Sequence, residues 1–312
     1  MRHVQAVWIM EEFAISAKPK SEGIRISEFL KCLGFSSSLI TKVKYGNVYL
    51  NGTAVHMRAP VFTGDTVKVI FPEEASEGIE PISIPLDILY EDEYIVLPNK
   101  SANMPTHPSH NHRGDTLADA LAYKYQEEGL PFVFRAISRL DRNTSGILLI
   151  AKDRISASRL SQAMKDGNIT KKYIAILNGE LDADEGTIDT YIKREAESII
   201  FRKVCGFNEG GDRAITKYTV LARKNGYSLV LASPITGRTH QLRVHFAHIG
   251  APILGDDMYG EASPLINRHA LHALSLSFEH PRTQESLTVC APPCEDMSKL
   301  ISLLFDEYAL KL

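Results

Sequence analysis

The chain is poor in cysteine, nearly free of tryptophan, close to neutral and without a long apolar run. Its four cysteines, Cys32, Cys205, Cys290 and Cys294, are spread over 312 residues. Only the last two lie close together, in CAPPC, and no second pair completes a zinc site. Reduced thiols are therefore expected, not a disulfide or metal framework. No stretch approaches the ~20 apolar residues that a membrane-spanning helix needs, so no membrane partner is expected. The start, MRHVQAVWIMEEF, is too short and turns acidic too soon for a signal peptide, and the expected location is the cytoplasm. A formal net charge of −3 argues against indiscriminate binding to polyanions. There is also no glycine-rich phosphate loop.

What is present is an ordinary enzyme-like composition, 44% hydrophobic and 23% charged, in a length that allows two or three domains. Charge is unevenly placed. Residues 18–58 hold seven Lys/Arg, among them Lys18, Lys20, Arg25, Lys42 and Lys44, against two acids; residues 72–99 hold eight acids and no Lys or Arg. Such asymmetry fits a basic module followed by an acidic connector. In the basic part, Ile26, Phe29, Leu30 and Leu33 recur at helical spacing and Gly34 ends the helix. Serines 36–38 can cap a second helix with Leu39, Ile40 and Val43 on its apolar face. NVYLNGTAV reads as strand, Asn51-Gly52 turn and strand, and GDTVKVIF as a further strand. This pattern over 12–72 resembles the S4-type RNA-binding domain, and the resemblance implies that Arg25, Lys42 and Lys44 face RNA. Residues 73–86, with four Glu, one Gly and two Pro, read as a linker.

The remainder, 87–312, has strand-like runs rich in Ile, Val, Tyr and Leu: DILYEDEYIVLPNK, GILLIAKD, KKYIAILNGEL, ITKYTVLARK and YSLVLASPITG. Helices are expected at DTLADALAYKYQEEG, ISASRLSQAMKDG and THQLRVHFAHIG, and at EDMSKLISLLFDEYAL with Leu300, Leu303, Leu304 and Tyr308 on one face. The expected fold class is α+β, with a mixed, largely antiparallel sheet in this second domain and a small N-terminal α/β S4-like domain.

Three segments carry polar clusters. In RAISRLDRNTSGILLIAKD an aspartate, Asp141, stands between Arg139 and Arg142 at the mouth of an apolar run. A carboxylate facing a cleft there, kept ionised by a nearby arginine, can serve as nucleophile or general base. The plain alternative is that its side chain caps the Asn143–Gly146 turn. In SPITGRTHQLRVHFAHIG, Arg238, His240, Arg243, His245 and His248 fall within eleven residues. The His spacing matches no common zinc pattern; two arginines at a helix start suit a carboxylate or phosphate, and Asp141 is an available carboxylate. THPSHNH at 106–112 reads as a loop against a substrate.

Taken together, SRLDRNTSGILLIAKD, KKYIAILNGEL, PITGRTHQLRVHFAHIGAPILGDDMYG and RHALHALSLSFEHP resemble, in order, the four motifs of the RluA-type pseudouridine synthases, and they span most of 87–291. An N-terminal S4-like domain is a common companion in that family. The resemblance implies isomerisation of uridine to pseudouridine in ribosomal or transfer RNA, a reaction that adds and loses nothing and needs no cofactor or metal. It implies that Asp141 starts glycosidic cleavage, by attack on the ribose, addition to the base or removal of a ribose proton. It also implies that Arg243 pairs with Asp141, that Tyr173 stacks on the uracil and can relay a proton, and that Leu271 packs against the ring. Arg139 matches the arginine that fills the stack vacated by the extruded nucleotide. Arg238, His240 and Arg142 are further substrate-binding candidates. The chain departs from the family pattern at Ser138, where His is usual, and at Ser101 and Asn103, where Pro and Gly are usual. These departures leave open a catalytically silent RNA-binding or ribosome-assembly protein that keeps the fold. A metal hydrolase built on the His clusters is a third reading. No obligate protein partner is expected, and the default state is a monomer.

Overall fold

The computed structural model describes residues 12–16, 22–71, 78–109 and 113–305, with Ile15 the only described side chain in the first segment. Lys18, Lys20, His110, His112, Tyr308, the first eleven residues, Pro72 and residues 73–77 of the expected linker lie outside that set.

The N-terminal part carries β1 (Glu12–Ser16), β2 (Ile24–Arg25), α1 (Ile26–Cys32), α2 (Ser37–Val43), β3 (Val48–Leu50), β4 (Thr53–Ala54), β5 (Pro60–Val61) and β6 (Thr66–Ile70). Ser36 caps α2 by accepting from the Leu39 amide. The β3–β4 turn uses Asn51 and Gly52 at positive φ, as a two-residue hairpin requires. Ile26, Leu30, Val43, Val67 and Phe71 form a core of their own, joined by one residue from the rest of the chain, Ile155.

Beyond it follow β7 (Asp87–Glu91), β8 (Ile95–Lys100), α3 (Leu117–Glu127), β9 (Arg135–Ala136), β10 (Ser145–Ile147), β11 (Ile150–Ala151) and α4 (Arg154–Lys165). Then come β12 (Thr170–Asn178), β13 (Glu185–Arg194), β14 (Arg202–Cys205), β15 (Asp212–Lys224), β16 (Tyr227–Pro234) and α5 (Gln241–His248). The described chain closes with β17 (Leu271–Glu279), β18 (Ser286–Cys290) and α6 (Glu295–Phe305). These strands make one mixed sheet in the order β14-β13-β15-β16-β12-β17-β10-β8-β11-β9, with β18 on β17 and β7 on β8. Among the described residues every strand pairing is antiparallel except β10 with β17, where Ser145 faces His272 and Gly146 faces Ala273. Gly146 sits at φ 112, and a Cβ there would run into the Ala273 main chain. Only glycine lets the two strands meet.

Two expectations change. The apolar run at 147–151 is not one strand. It pairs with β8 up to Ile147 and again from Ile150; between them Leu148 donates to the carbonyl of Pro98, which has no amide hydrogen to give the ladder in return. On α6, Leu303 is 66% exposed and is not on the packed face. Met297, Leu300, Ile301 and Leu304, spaced 3-4-7, form that face instead.

Two cores flank the β12–β17–β10 centre. One is built from β12, β16, α5 and α6, the other from β8, β10, β11, α3 and α4. Tyr173 packs against both.

Candidate active site

Between these cores opens a cavity of about 340 Å³. Its walls are the segment Ile137–Asp141, the loop and helix start from Pro234 to Arg243, and Tyr173, Lys171 and Leu271 from the sheet.

Asp141 enters on the loop before β10. The turn after it is closed by main chain, the Thr144 amide donating to the Asp141 carbonyl at 3.1 Å, so its carboxylate is not used as the cap. The side chain is 21% exposed, open to a ligand yet framed by protein. Its Oδ2 lies 3.5 Å from Arg243 Nη1 and 3.8 Å from His240 Nε2.

Each residue after Asp141 is fastened by a buried partner. The Lys100 ammonium donates to the Arg142 carbonyl at 3.1 Å, and to the carbonyls of Ser101 and Met104. The Arg268 guanidinium donates to the Asn143 carbonyl at 3.0 Å. Thr144 Oγ1 bonds His269 Nε2 at 2.8 Å, and Ser145 Oγ bonds His272 Nδ1 at 2.9 Å. Burial drives the His269 and His272 imidazoles down to about 3 and about 4, so both are neutral at pH 7. Burial also brings Lys100 down to about 7, with the Asp141 charge acting the other way. Upstream, Thr106 Oγ1 donates to the Leu140 carbonyl at 3.0 Å. In the 99–108 loop Asn103 adopts φ 61. The usual glycine position is thus left-handed here, and asparagine is among the few side chains that accept it.

Arg243, the third residue of α5, is 4% exposed. Its principal partner is Asp256, which it grips through Nε–Oδ2 and Nη2–Oδ1, both 2.7 Å. Asp256 Oδ1 also accepts from the Met258 amide at 3.1 Å. That leaves Nη1 for Asp141. Burial opposes the Arg243 charge, but the Asp256 bond and the two carboxylate charges outweigh it and the guanidinium is held more firmly protonated.

His240 stands at the head of α5 in a left-handed conformation, φ 57. Its Nδ1 is 2.8 Å from the Tyr259 hydroxyl, whose oxygen already accepts from the Arg202 amide at 3.0 Å. The Tyr259 hydrogen therefore goes to Nδ1. Hydrogen-bond partners assign the imidazole proton to Nε2, the atom facing Asp141. At 3.8 Å this N–H acts on the carboxylate by charge–dipole attraction, being too far for a hydrogen bond. Burial lowers the His240 pKa, with Asp141 opposing, which favours this neutral form.

Tyr173 and Lys171 alternate onto the cavity face of β12. The β12–β17 register slips between Lys172 and Tyr173, a bulge that re-aims the ring. Burial first, then the Asp141 charge, raises the Tyr173 pKa, so the phenol keeps its proton. Burial lowers that of Lys171.

Of the residues singled out in the sequence, Asp141, Tyr173, Arg243, Arg139, Leu271, Arg238 and His240 line the one cavity. Arg139 is exposed at its edge. Arg142 does not line it; its side chain is exposed and its carbonyl is the part in use. Arg238 precedes the helix and turns away from Asp141, its Nε donating to the Arg213 carbonyl at 3.1 Å with Asp212 at 3.9 Å. The amide and hydroxyl of its loop are held by Gln241, whose Oε1 accepts from Arg238 N and Thr236 Oγ1. His245 cannot join a metal cluster with His240, because both its ring nitrogens meet threonines, Thr190 and Thr216. Among the described residues no group of three or more His, Cys, Asp or Glu could hold a metal ion, and no helix is long and apolar enough to cross a membrane. Arg25 and Lys42 are exposed, and Lys44 lies over the Tyr45 ring at 4.6 Å. Sequence reasoning missed Asp256, Lys100, Arg268, His269 and Gln241. The available signal was that a charged or amide side chain within an apolar motif must find a buried partner.

The family model described as RNA pseudouridylate synthase matches residues 94–248. Bacillus subtilis YjbO, described as an uncharacterized RNA pseudouridine synthase, is 40% identical over 279 residues, covering 88% of this chain and 98% of its own. The ribosomal large subunit pseudouridine synthase D of Xylella fastidiosa is 33% identical over 294 residues, 88% of this chain and 87% of its own. Among solved structures, human RNA pseudouridylate synthase domain containing 1 aligns with a TM-score of 0.57 and 30% identity, over 69% of this chain and 87% of that one.

Proposed function

Because this chain belongs to the RNA pseudouridylate synthase family, and is by that membership an RNA-modifying isomerase, we propose that it converts specific uridines of ribosomal RNA to pseudouridine with Asp141 as the group that starts the reaction. The single observation that carries the residue assignment is the carboxylate of Asp141 in a cavity between an Asp256-anchored guanidinium and the Tyr173 ring. Likeness to ribosomal large subunit synthases favours ribosomal over transfer RNA.

The reaction breaks N1–C1′ and forms C5–C1′; the proton lost at C5 is balanced by one gained at N1. Arg243 holds the acid charged and aimed in a site partly withdrawn from water. Tyr173, as a neutral phenol, covers one face of the detached uracil and can pass a proton, while Leu271 confines the ring as it turns. Arg139, exposed at the cavity edge, offers a planar cation to the stack that the nucleotide leaves. Residues 12–72 act as an S4-like RNA-binding module, with Arg25, Lys42 and Lys44 on phosphates, joined by 73–86 to a catalytic domain over 87–312. Phosphate contacts of this kind orient RNA without reading its sequence. The protein works in the cytoplasm as a monomer.

The test is chemical mapping of pseudouridine after incubation with unmodified ribosomal and transfer RNA. Wild type yields product on ribosomal RNA, and Asp141→Asn yields none while still binding. Product from both proteins rejects the assignment of Asp141. Binding without product from wild type supports the silent RNA-binding protein instead. Replacing Arg25, Lys42 and Lys44 together by glutamate should weaken RNA binding and flatten its salt dependence.

A further inference from the structure

A second cleft, of about 690 Å³, lies between α2 of the N-terminal part and α4. Among the described residues its lining contains no aspartate or glutamate. Lys42 from α2 and Lys165 from α4 stand on its rim beside Ser161 and Gln162, all on exposed or half-exposed positions. Arg135 and Arg154 line it as well; the first donates to the Lys152 carbonyl at 2.9 Å and the second lies over the Phe71 ring at 5.0 Å. On the floor, Phe134 and His107 pair with ring centroids 5.7 Å apart. A cationic rim over aromatic rings is the arrangement that holds single strands, because phosphates meet the charges and any base can stack.

The cleft lies next to the cavity that holds Asp141. Met164 lines the cavity and Lys165 the cleft, as neighbours at the end of α4; Ile137 and Arg135 divide in the same way just past and within β9. Its two walls are bolted together. The Arg159 guanidinium on α4 donates to the Leu33 carbonyl from Nη2 at 2.7 Å and Nε at 3.1 Å, and the Ser36 amide donates to Ser158 Oγ at 3.0 Å. Gly34, at φ 90, leaves the room Arg159 occupies, since a Cβ there would strike its side chain. Ile155 of α4 is buried in the N-terminal core. The cleft is therefore formed before any ligand arrives.

We propose that this cleft binds the single-stranded RNA segment adjoining the target uridine, so that α4 as well as the N-terminal module grips the substrate. This rests on the reading of the first cavity as the uridine site. Nothing covalent happens here; the segment is held, and the target nucleotide is presented from one side.

The experiment uses the full chain and two probes, a short fluorescent oligouridylate and the same strand paired with oligoadenylate. Lys165→Glu and Ser161→Glu change outward-facing positions. For the single strand each should raise Kd by about tenfold and the lysine variant should lower the salt slope by about 0.7. The paired strand should bind weakly to all three proteins. Ultraviolet cross-linking of the oligouridylate should mark Phe134 or its neighbours. Unchanged Kd in both variants, cross-links confined elsewhere, or a preference for the duplex that the variants abolish would each overturn the proposal. Pseudouridine formation on unmodified ribosomal RNA is measured alongside. Product together with unchanged oligouridylate binding in the variants rejects the cleft alone, whereas absence of product from wild type rejects the functional reading.

Discussion

Replacing Asp256 by asparagine isolates what aims the site. In the native protein both Asp256 oxygens are engaged by Arg243 at 2.7 Å, and the pair is almost fully buried, at 0% and 5% side-chain exposure. The substituted amide keeps one oxygen, able to serve the Met258 amide, but turns an NH₂ group toward the guanidinium. Two donors then face each other and the buried charge loses its counter-ion, a change that costs about 3–5 kcal/mol when one partner of a buried pair is removed. The guanidinium has another carboxylate within reach, Asp141, 3.5 Å from Nη1. It should swing toward it and drag the acid from its place. Displacements of about 1 Å cost roughly 100-fold in rate. The expected outcome of Asp256→Asn is a lowered melting temperature together with a kcat reduced about 100-fold and RNA affinity within about twofold of wild type. Single-turnover pseudouridine formation and filter binding, both run well below the variant's melting point, read the two quantities. A variant that melts early yet reacts at the native rate would show that Asp256 only supports the fold, and the argument about aim would be wrong.

Three further outcomes are expected. Tyr259→Phe removes the hydroxyl that orders His240 but keeps the ring; nitrogen-15 spectra of labelled imidazole should pass from a pure Nε2–H tautomer to a mixture, with kcat falling by about threefold to tenfold and RNA affinity unchanged. Lys100 ordinarily titrates at 10.5 and is brought to about 7 by burial, so between those values the unfolded chain binds more protons than the folded one. Stability relative to Lys100→Met should therefore rise with pH across that window, by up to about 1.4 kcal/mol per unit, and level off below it; denaturant titrations at pH 6, 8 and 10 that run flat would contradict this. Asn103→Ala should lower stability by about 1–2 kcal/mol through its left-handed φ while Asn103→Gly is tolerated, as thermal melts will show.

The parts legible in the sequence were those whose chemistry repeats locally. Helix spacing, the Ser36 cap and the Asn51-Gly52 turn correspond to α1, α2 and the β3–β4 hairpin. The motifs around Asp141, Tyr173, Arg243 and Leu271 do meet in one cavity, although a hundred positions separate the acid from the arginine. What escaped was long-range and polar. Nothing local says that Asp256 answers Arg243, or that Lys100 and Arg268 reach across the fold to hold successive carbonyls of one loop. Strand β13 was missed because its inner face sets Gly186 and Thr190 beside Ile188 and Ile192, too few apolar residues for the alternation of burial to show in the sequence. The break between β10 and β11 came from Pro98 on the neighbouring strand, invisible from the apolar run itself.

The parallel seam between β10 and β17 carries a timetable. Ser145 and His272 lie side by side yet are separated by 127 positions of chain. A nascent polypeptide therefore holds the Asp141 loop by Lys100 and Thr106 alone until Arg268, His269 and His272 have emerged and docked, and contacts this distant in sequence form late. The site we propose around Asp141 is thus assembled only after position 272 has been synthesised.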